Sequence, residues 1–148
     1  MMTEISIPKP ANSIVQVSET GEPWIRGYRC EECGAVAAAP SMACRRCHSR
    51  RAPEPFRASS RGKLYTWTVV ERSYPGISVP FLSAIVDLED GLVLKGILKC
   101  ADAGVLEEGL PVELVFDDAG GARDKEGSSY VGYHFVAAAS AATQGGQA

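Results

Sequence analysis

Two Cys-x-x-Cys pairs constrain this chain more than anything else in it: Cys30-Glu31-Glu32-Cys33 and Cys44-Arg45-Arg46-Cys47. Each pair forms a tight knuckle that points two thiolates at one centre, and four thiolates suit a tetrahedral zinc ion. Gly34 follows the first knuckle, where amides must turn toward sulfur. The ten residues 34–43 between the knuckles are enough for a two-stranded ribbon. A four-sulfur site has no open position, so the expected metal role is structural, with Cys30, Cys33, Cys44 and Cys47 as ligands. A redox Cys-x-x-Cys would not need a second copy. Rubredoxin-type iron uses the same four ligands, and the spacing alone does not separate it from zinc. Disulfides fit poorly, because MMTEISIPKPANS lacks the basic-then-apolar order of a secretory signal. No apolar run approaches the ~18 residues of a membrane span. The expectation is a cytoplasmic protein that does not enter a membrane.

The rest of the chain reads as strands. Residues 1–23 carry Pro8, Pro10 and Pro23 and are expected to form an extended arm; 24–57 are the zinc ribbon; 58–138 a barrel domain; 139–148 a flexible tail. Within APEPFRASS, residues 52–60, two prolines argue for a connector rather than a regular element. From Gly62 onward, KLYTWTVVERS, FLSAIVDL, GLVLKGILKC, PVELVF and YVGYHFVA are rich in aromatic and β-branched residues at period two. Glu89-Asp90-Gly91 predicts a tight hairpin turn, and Gly96 predicts a bulge inside the third of these strands. ADAGVLEEGL is expected to be a loop with at most one helical turn. Five short strands with little helix predict a mainly β fold: a zinc ribbon followed by a small closed barrel, OB-like first and SH3-like second.

Charge divides the chain. Residues 26–72 hold ten Lys or Arg against four acids, while residues 73–148 hold four against eleven. A basic half suits an anionic ligand such as nucleic acid or a phosphorylated cofactor. Arg29, Arg45 and Arg46 also offset the net negative charge of a zinc-tetrathiolate, which weakens their claim on a ligand. Single-stranded nucleic acid is the rival partner, but a net charge of -3 and an acidic barrel half argue against it. His48, beside Cys47, reads as a surface residue, His134 as a barrel residue and Cys100 as a small buried hydrophobe. No GxSxG, P-loop or GxGxxG motif is present, so no catalytic residue is assigned.

EPWIRGYRCEECG, the second knuckle CRRC, GKLYTWTVVER, VPFLSAIVDLEDG and EEGLPVELVF together resemble the acyl-CoA-associated zinc-ribbon/OB-fold family known as domain of unknown function thirty-five, or DUF35. The resemblance covers roughly Trp24 to Ala137. It implies an N-terminal rubredoxin-like ribbon, a C-terminal OB barrel, and a hetero-oligomer with a thiolase-like or lipid-transfer-protein-type subunit that carries the catalytic residues. It further implies acyl-CoA as a ligand of the complex, and carbon–carbon cleavage (retro-aldol or thiolysis) or acyl transfer in lipid or steroid side-chain metabolism. This chain departs from the family pattern in the prolines that replace N-terminal helices and in Phe135-Val136-Ala137, where an aromatic-x-proline ending is usual.

Overall fold

The structure is a computed structural model that describes residues 7–100, 104 and 106–137. Among the described residues ten strands run in chain order: β1 Lys9–Pro10, β2 Val15–Val17, β3 Pro23–Arg29, β4 Val36–Ala37, β5 Glu54–Arg57, β6 Arg61–Val70, β7 Phe81–Leu88, β8 Val93–Lys99, β9 Pro111–Asp117 and β10 Tyr130–Ala137. A short 3-10 turn, Ala119–Gly121, follows β9. Among the described residues no helix is long and apolar enough to cross a membrane. The contacts divide the chain into two compact units: residues up to Ala58 with Phe116–Tyr133, and Ser59–Val115 with the residues from His134 on.

In the first unit β3 is the organising strand. It pairs antiparallel with β2, Val15 opposite Ile25, and with β4 and β5, which flank Tyr28 and Arg29 on opposite edges. The expected connector at 52–60 is in part a strand. Glu54–Arg57 pairs with β3, and Pro55 sits opposite Tyr28. Pro is tolerated there because, among the described residues, β5 pairs with β3 alone, and the Pro55 nitrogen is on the edge away from β3. The arm residues Lys9 and Pro10 pair in parallel with Tyr130 and Val131, and Lys9 forms an ion pair with Asp124. Val15, fully buried, and Ile25 are apolar anchors of this unit.

The barrel closes through the order β10-β8-β7-β6-β9, with β9 returning to β10. Its β8–β10 pairing is parallel, Phe135 opposite Leu98, while β6–β7, β7–β8 and β6–β9 are antiparallel. This is the OB-like closure. Period-two alternation turns Leu64, Ala84, Val86, Leu88, Leu92, Leu94, Leu98, Val112, Leu114 and Phe135 inward, all buried. Apolar burial of this extent is the main term holding such a barrel together. The expected bulge at Gly96 is not there. Gly96 continues the regular ladder opposite Ala84, and the register shift lies in β6 between Leu64 and Thr66. Gly96 stands in the register row Trp67–Ala84–Gly96, and the β7–β8 ladder runs through it without interruption, so the irregularity a bulge would supply falls on β6 instead. The Glu89–Gly91 turn is as expected, with Gly91 at φ 95° and the Leu88 amide donating to the Leu92 carbonyl at 2.8 Å. The expected helical turn falls in 101–110, partly outside the described residues.

Candidate metal centre

The two knuckles are built alike. In the first, the Gly34 amide donates to the Cys30 carbonyl at 3.0 Å and the Cys30 amide donates to the Ala35 carbonyl at 2.8 Å. In the second, His48 donates to Cys44 at 2.9 Å and Cys44 donates to Ser49 at 2.8 Å. Both knuckles end on a left-handed residue, Gly34 at φ 78° and His48 at φ 64°. His48 therefore does for the second knuckle what glycine does for the first. Its side chain is exposed and lies outside the cysteine group. Histidine is among the non-glycine residues enriched in this region, which is the signal a sequence reading could have used.

The turns bring all four sulfurs within 4.8 Å of one another. Cys30 Sγ lies 3.6 Å from Cys47 Sγ, and Cys33 Sγ lies 3.6 Å from Cys44 Sγ. A tetrahedron with metal–sulfur bonds of about 2.3 Å has sulfur–sulfur edges of about 3.8 Å, so the four sulfurs fit one zinc ion. The Arg46 and Cys47 amides point at Cys44 Sγ at 3.4 and 3.5 Å. Arg46 also donates through Nη2 to the Cys33 carbonyl at 2.7 Å, tying one knuckle to the other.

These amides set the acidity of the thiols. The Cys47 and Arg46 amides hold Cys44 down at about 6. The Cys33 and Glu32 amides likewise lower Cys30. Cys47 moves the opposite way: the Ser49 amide pulls it down, but desolvation and the sulfurs of Cys30, Cys33 and Cys44 outweigh that and push it up to about 12. Four crowded sulfurs do not all ionise together without a cation among them. A bound divalent ion reverses this and deprotonates its thiols outright. Of the other sequence candidates, His134 lies half-buried in β10, Cys100 is half-buried just after β8, and Arg50 and Arg51 are exposed.

Residues 57–117 match the family model of the ChsH2 C-terminal OB-fold domain. A DUF35 domain-containing scaffold protein of Methanocaldococcus jannaschii is 33% identical over 93 residues, which are 61% of this chain and 65% of that protein. Benzoylsuccinyl-CoA thiolase subunit BbsA of Geobacter metallireducens is 35% identical over 72 residues, 49% of this chain and 48% of that one. The chain thus spans between about half and two thirds of these relatives' lengths. Among solved structures, the Ltp2-ChsH2(DUF35) aldolase superposes with a TM-score of 0.61 at 25% identity, over 78% of this chain and 85% of that one. The comparisons agree with the resemblance read from the knuckles and strands: the chain is similar in sequence to DUF35 scaffold proteins and in fold to the DUF35 aldolase structure, and its residues 57–117 match the ChsH2-type C-terminal OB-fold domain.

Proposed function

We propose that the chain is a zinc-bearing accessory subunit of a thiolase-like acyl-CoA enzyme. It would stabilise the partner and contribute to the acyl-CoA site, while the reacting groups belong to the partner. The observation that carries this reading is the joint match to the DUF35 aldolase structure over most of both chains and to a thiolase subunit in sequence. The absence from the sequence of a nucleophile motif agrees with it. Zinc, held by Cys30, Cys33, Cys44 and Cys47, would be structural: with four thiolates around it no position is left for substrate. Its contribution is to lock the two knuckles, and with them the loop from Arg29 to Glu54, in a segment with few buried apolar side chains. The reaction of the complex would be carbon–carbon cleavage, by retro-aldol or thiolysis, or acyl transfer.

The test is co-expression with a thiolase-like protein encoded beside it, followed by gel filtration at moderate salt. Subunits joined through a buried apolar centre with a charged rim stay together under those conditions. Co-elution supports the proposal. Separate elution overturns it, and salt-sensitive binding of single-stranded nucleic acid by the lone chain would put the rival partner in its place.

A further inference from the structure

The sheet formed by β2, β3 and β5 has two unlike faces. Ile25 and Gly27 lie on one, with Val15 and Phe56 opposite them. Phe56 covers Gly27 so closely that a Cβ there would stand 2.6 Å from the ring. Arg29, on this face, stacks 4.6 Å from the Phe56 centroid. That face is apolar and closed by packing.

The opposite face carries Trp24, Arg26 and Tyr28 in period two along β3, all half-buried. Across the sheet, Gln16 is opposite Trp24 and Arg57 is directly opposite Arg26. Two arginines facing each other on adjacent strands repel, and a sheet does not gain from such a pair by itself. Arg57 is relieved by Glu22, whose Oε1 accepts from Nη2 at 3.0 Å at the exposed margin. Arg26 has no ion pair among the described residues. Its guanidinium lies 5.4 Å from the Trp24 centroid, and its Nε is buried without a hydrogen-bond partner. A buried donor on a charged group with no acceptor is a costly arrangement for a protein to keep. One anion seated between Arg26 and Arg57 would cancel that repulsion, with the outer edges of the two guanidinium groups as its donors.

We infer that this face is a nucleotide-binding site, with a phosphate held between Arg26 and Arg57 and the base laid on the ring of Trp24 or Tyr28. The aromatic residues, two positions to either side of Arg26, are what make the fit a nucleotide rather than a bare phosphate. The face is one sheet wide and bounded by Glu22. That suits a single nucleotide and not the run of phosphate contacts a nucleic-acid strand needs. The identity of the nucleotide rests on the function proposed above: for a subunit of a CoA-thioester enzyme it is the 3′-phosphorylated ADP end of coenzyme A.

The experiment uses the full chain with Trp67→Phe, which leaves Trp24 as the sole tryptophan. Adenosine 3′,5′-bisphosphate is titrated while tryptophan fluorescence and heat are followed, with inorganic phosphate and a single-stranded oligonucleotide as comparisons. Expected are saturable quenching, weakening by about tenfold or more in Arg26→Gln, and severalfold tightening in Glu22→Gln, which frees Arg57. A merely structural role for Arg26 would not produce the gain in Glu22→Gln, and that variant keeps the test open even where Arg26→Gln fails to fold. No saturation up to about 1 mM overturns the inference. So does affinity that Glu22→Gln leaves unchanged, or tighter binding of the oligonucleotide than of the bisphosphate. Co-elution with the thiolase-like protein is scored on the same sample. Bisphosphate binding without co-elution refutes the subunit reading and spares this site, and co-elution without binding does the reverse.

Discussion

Gly62 is where the barrel should be least forgiving. It sits in β6 between two neighbours, opposite Leu88 of β7 and Val112 of β9. A Cβ on it would lie 2.4 Å from the Asp87 carbonyl oxygen and 2.9 Å from the Leu88 Cα. Ordinary contact begins near 3.4 Å, so β7 would have to retreat by about 1 Å along paired backbone. No flexible side chain is available to move instead. Replacing glycine by alanine in extended backbone normally stabilises by about 0.4–1 kcal/mol, through the lost freedom of the unfolded chain. Overpacking a close-fitting interior costs about 1–3 kcal/mol. The steric term wins because the obstacle is main chain, and Gly62→Ala should be less stable by about 1–2 kcal/mol. At roughly 2–4 °C per kcal/mol for a chain of this size, the melting midpoint should fall by about 2–8 °C. Urea unfolding followed by circular dichroism measures it, with Gly132→Ala as the milder comparison, since its nearest obstacle is the Asp117 side chain at 3.1 Å. A Gly62→Ala midpoint equal to or above the parent's would show that the β7 main chain does not confine Gly62.

Phe135→Ala should cost about 3–5 kcal/mol, because Phe135 is fully buried in the barrel; a loss under about 1 kcal/mol in urea unfolding would mean it does not pack as described. The purified chain should hold about one zinc by elemental analysis, lost in Cys44→Ser and released as acid protonates the thiolates; stoichiometric iron, or zinc retained in Cys44→Ser, would contradict this. Asp124 accepts from Lys9 and from the Ser128 and Glu126 amides, which hold its carboxyl at about 2. A carboxyl depressed on folding contributes stability above its unfolded pKa near 3.9 and loses it as pH falls toward 2. The Ser128 amide signal should therefore titrate near pH 2, and a midpoint near 3.9 would show that Lys9 and the loop amides do not hold it.

What was legible in the sequence was local. The knuckles depend only on residues within five positions of each other, and the FLSAIVDL and YVGYHFVA patterns coincide with β7 and β10. What was not legible depends on which strand lies beside which. OB-like closure rests on the parallel pairing of β8 with β10, residues far apart in sequence. Val15–Val17 is too short to show period two, and becomes a strand because β3 pairs with it. Pro55 counts against a strand until β5 is known to pair on one side alone. At the candidate site, Cys30, Cys33, Cys44 and Cys47 were read from spacing, whereas His48 is needed for its backbone rather than its ring. The opposition of Arg26 and Arg57 exists only in the register of β3 against β5, so the sequence presents two arginines where the fold presents one charged, aromatic face.

The proposed role is to complete a thiolase-like enzyme without carrying its chemistry. Turnover of an acyl-CoA thioester by the purified pair, compared with each protein alone, tests it most directly. In that role the lone chain should be inactive, and the pair should exceed the thiolase-like protein alone by an amount lost when this chain is left out. Turnover by the lone chain, or equal rates with and without it, would rule that role out.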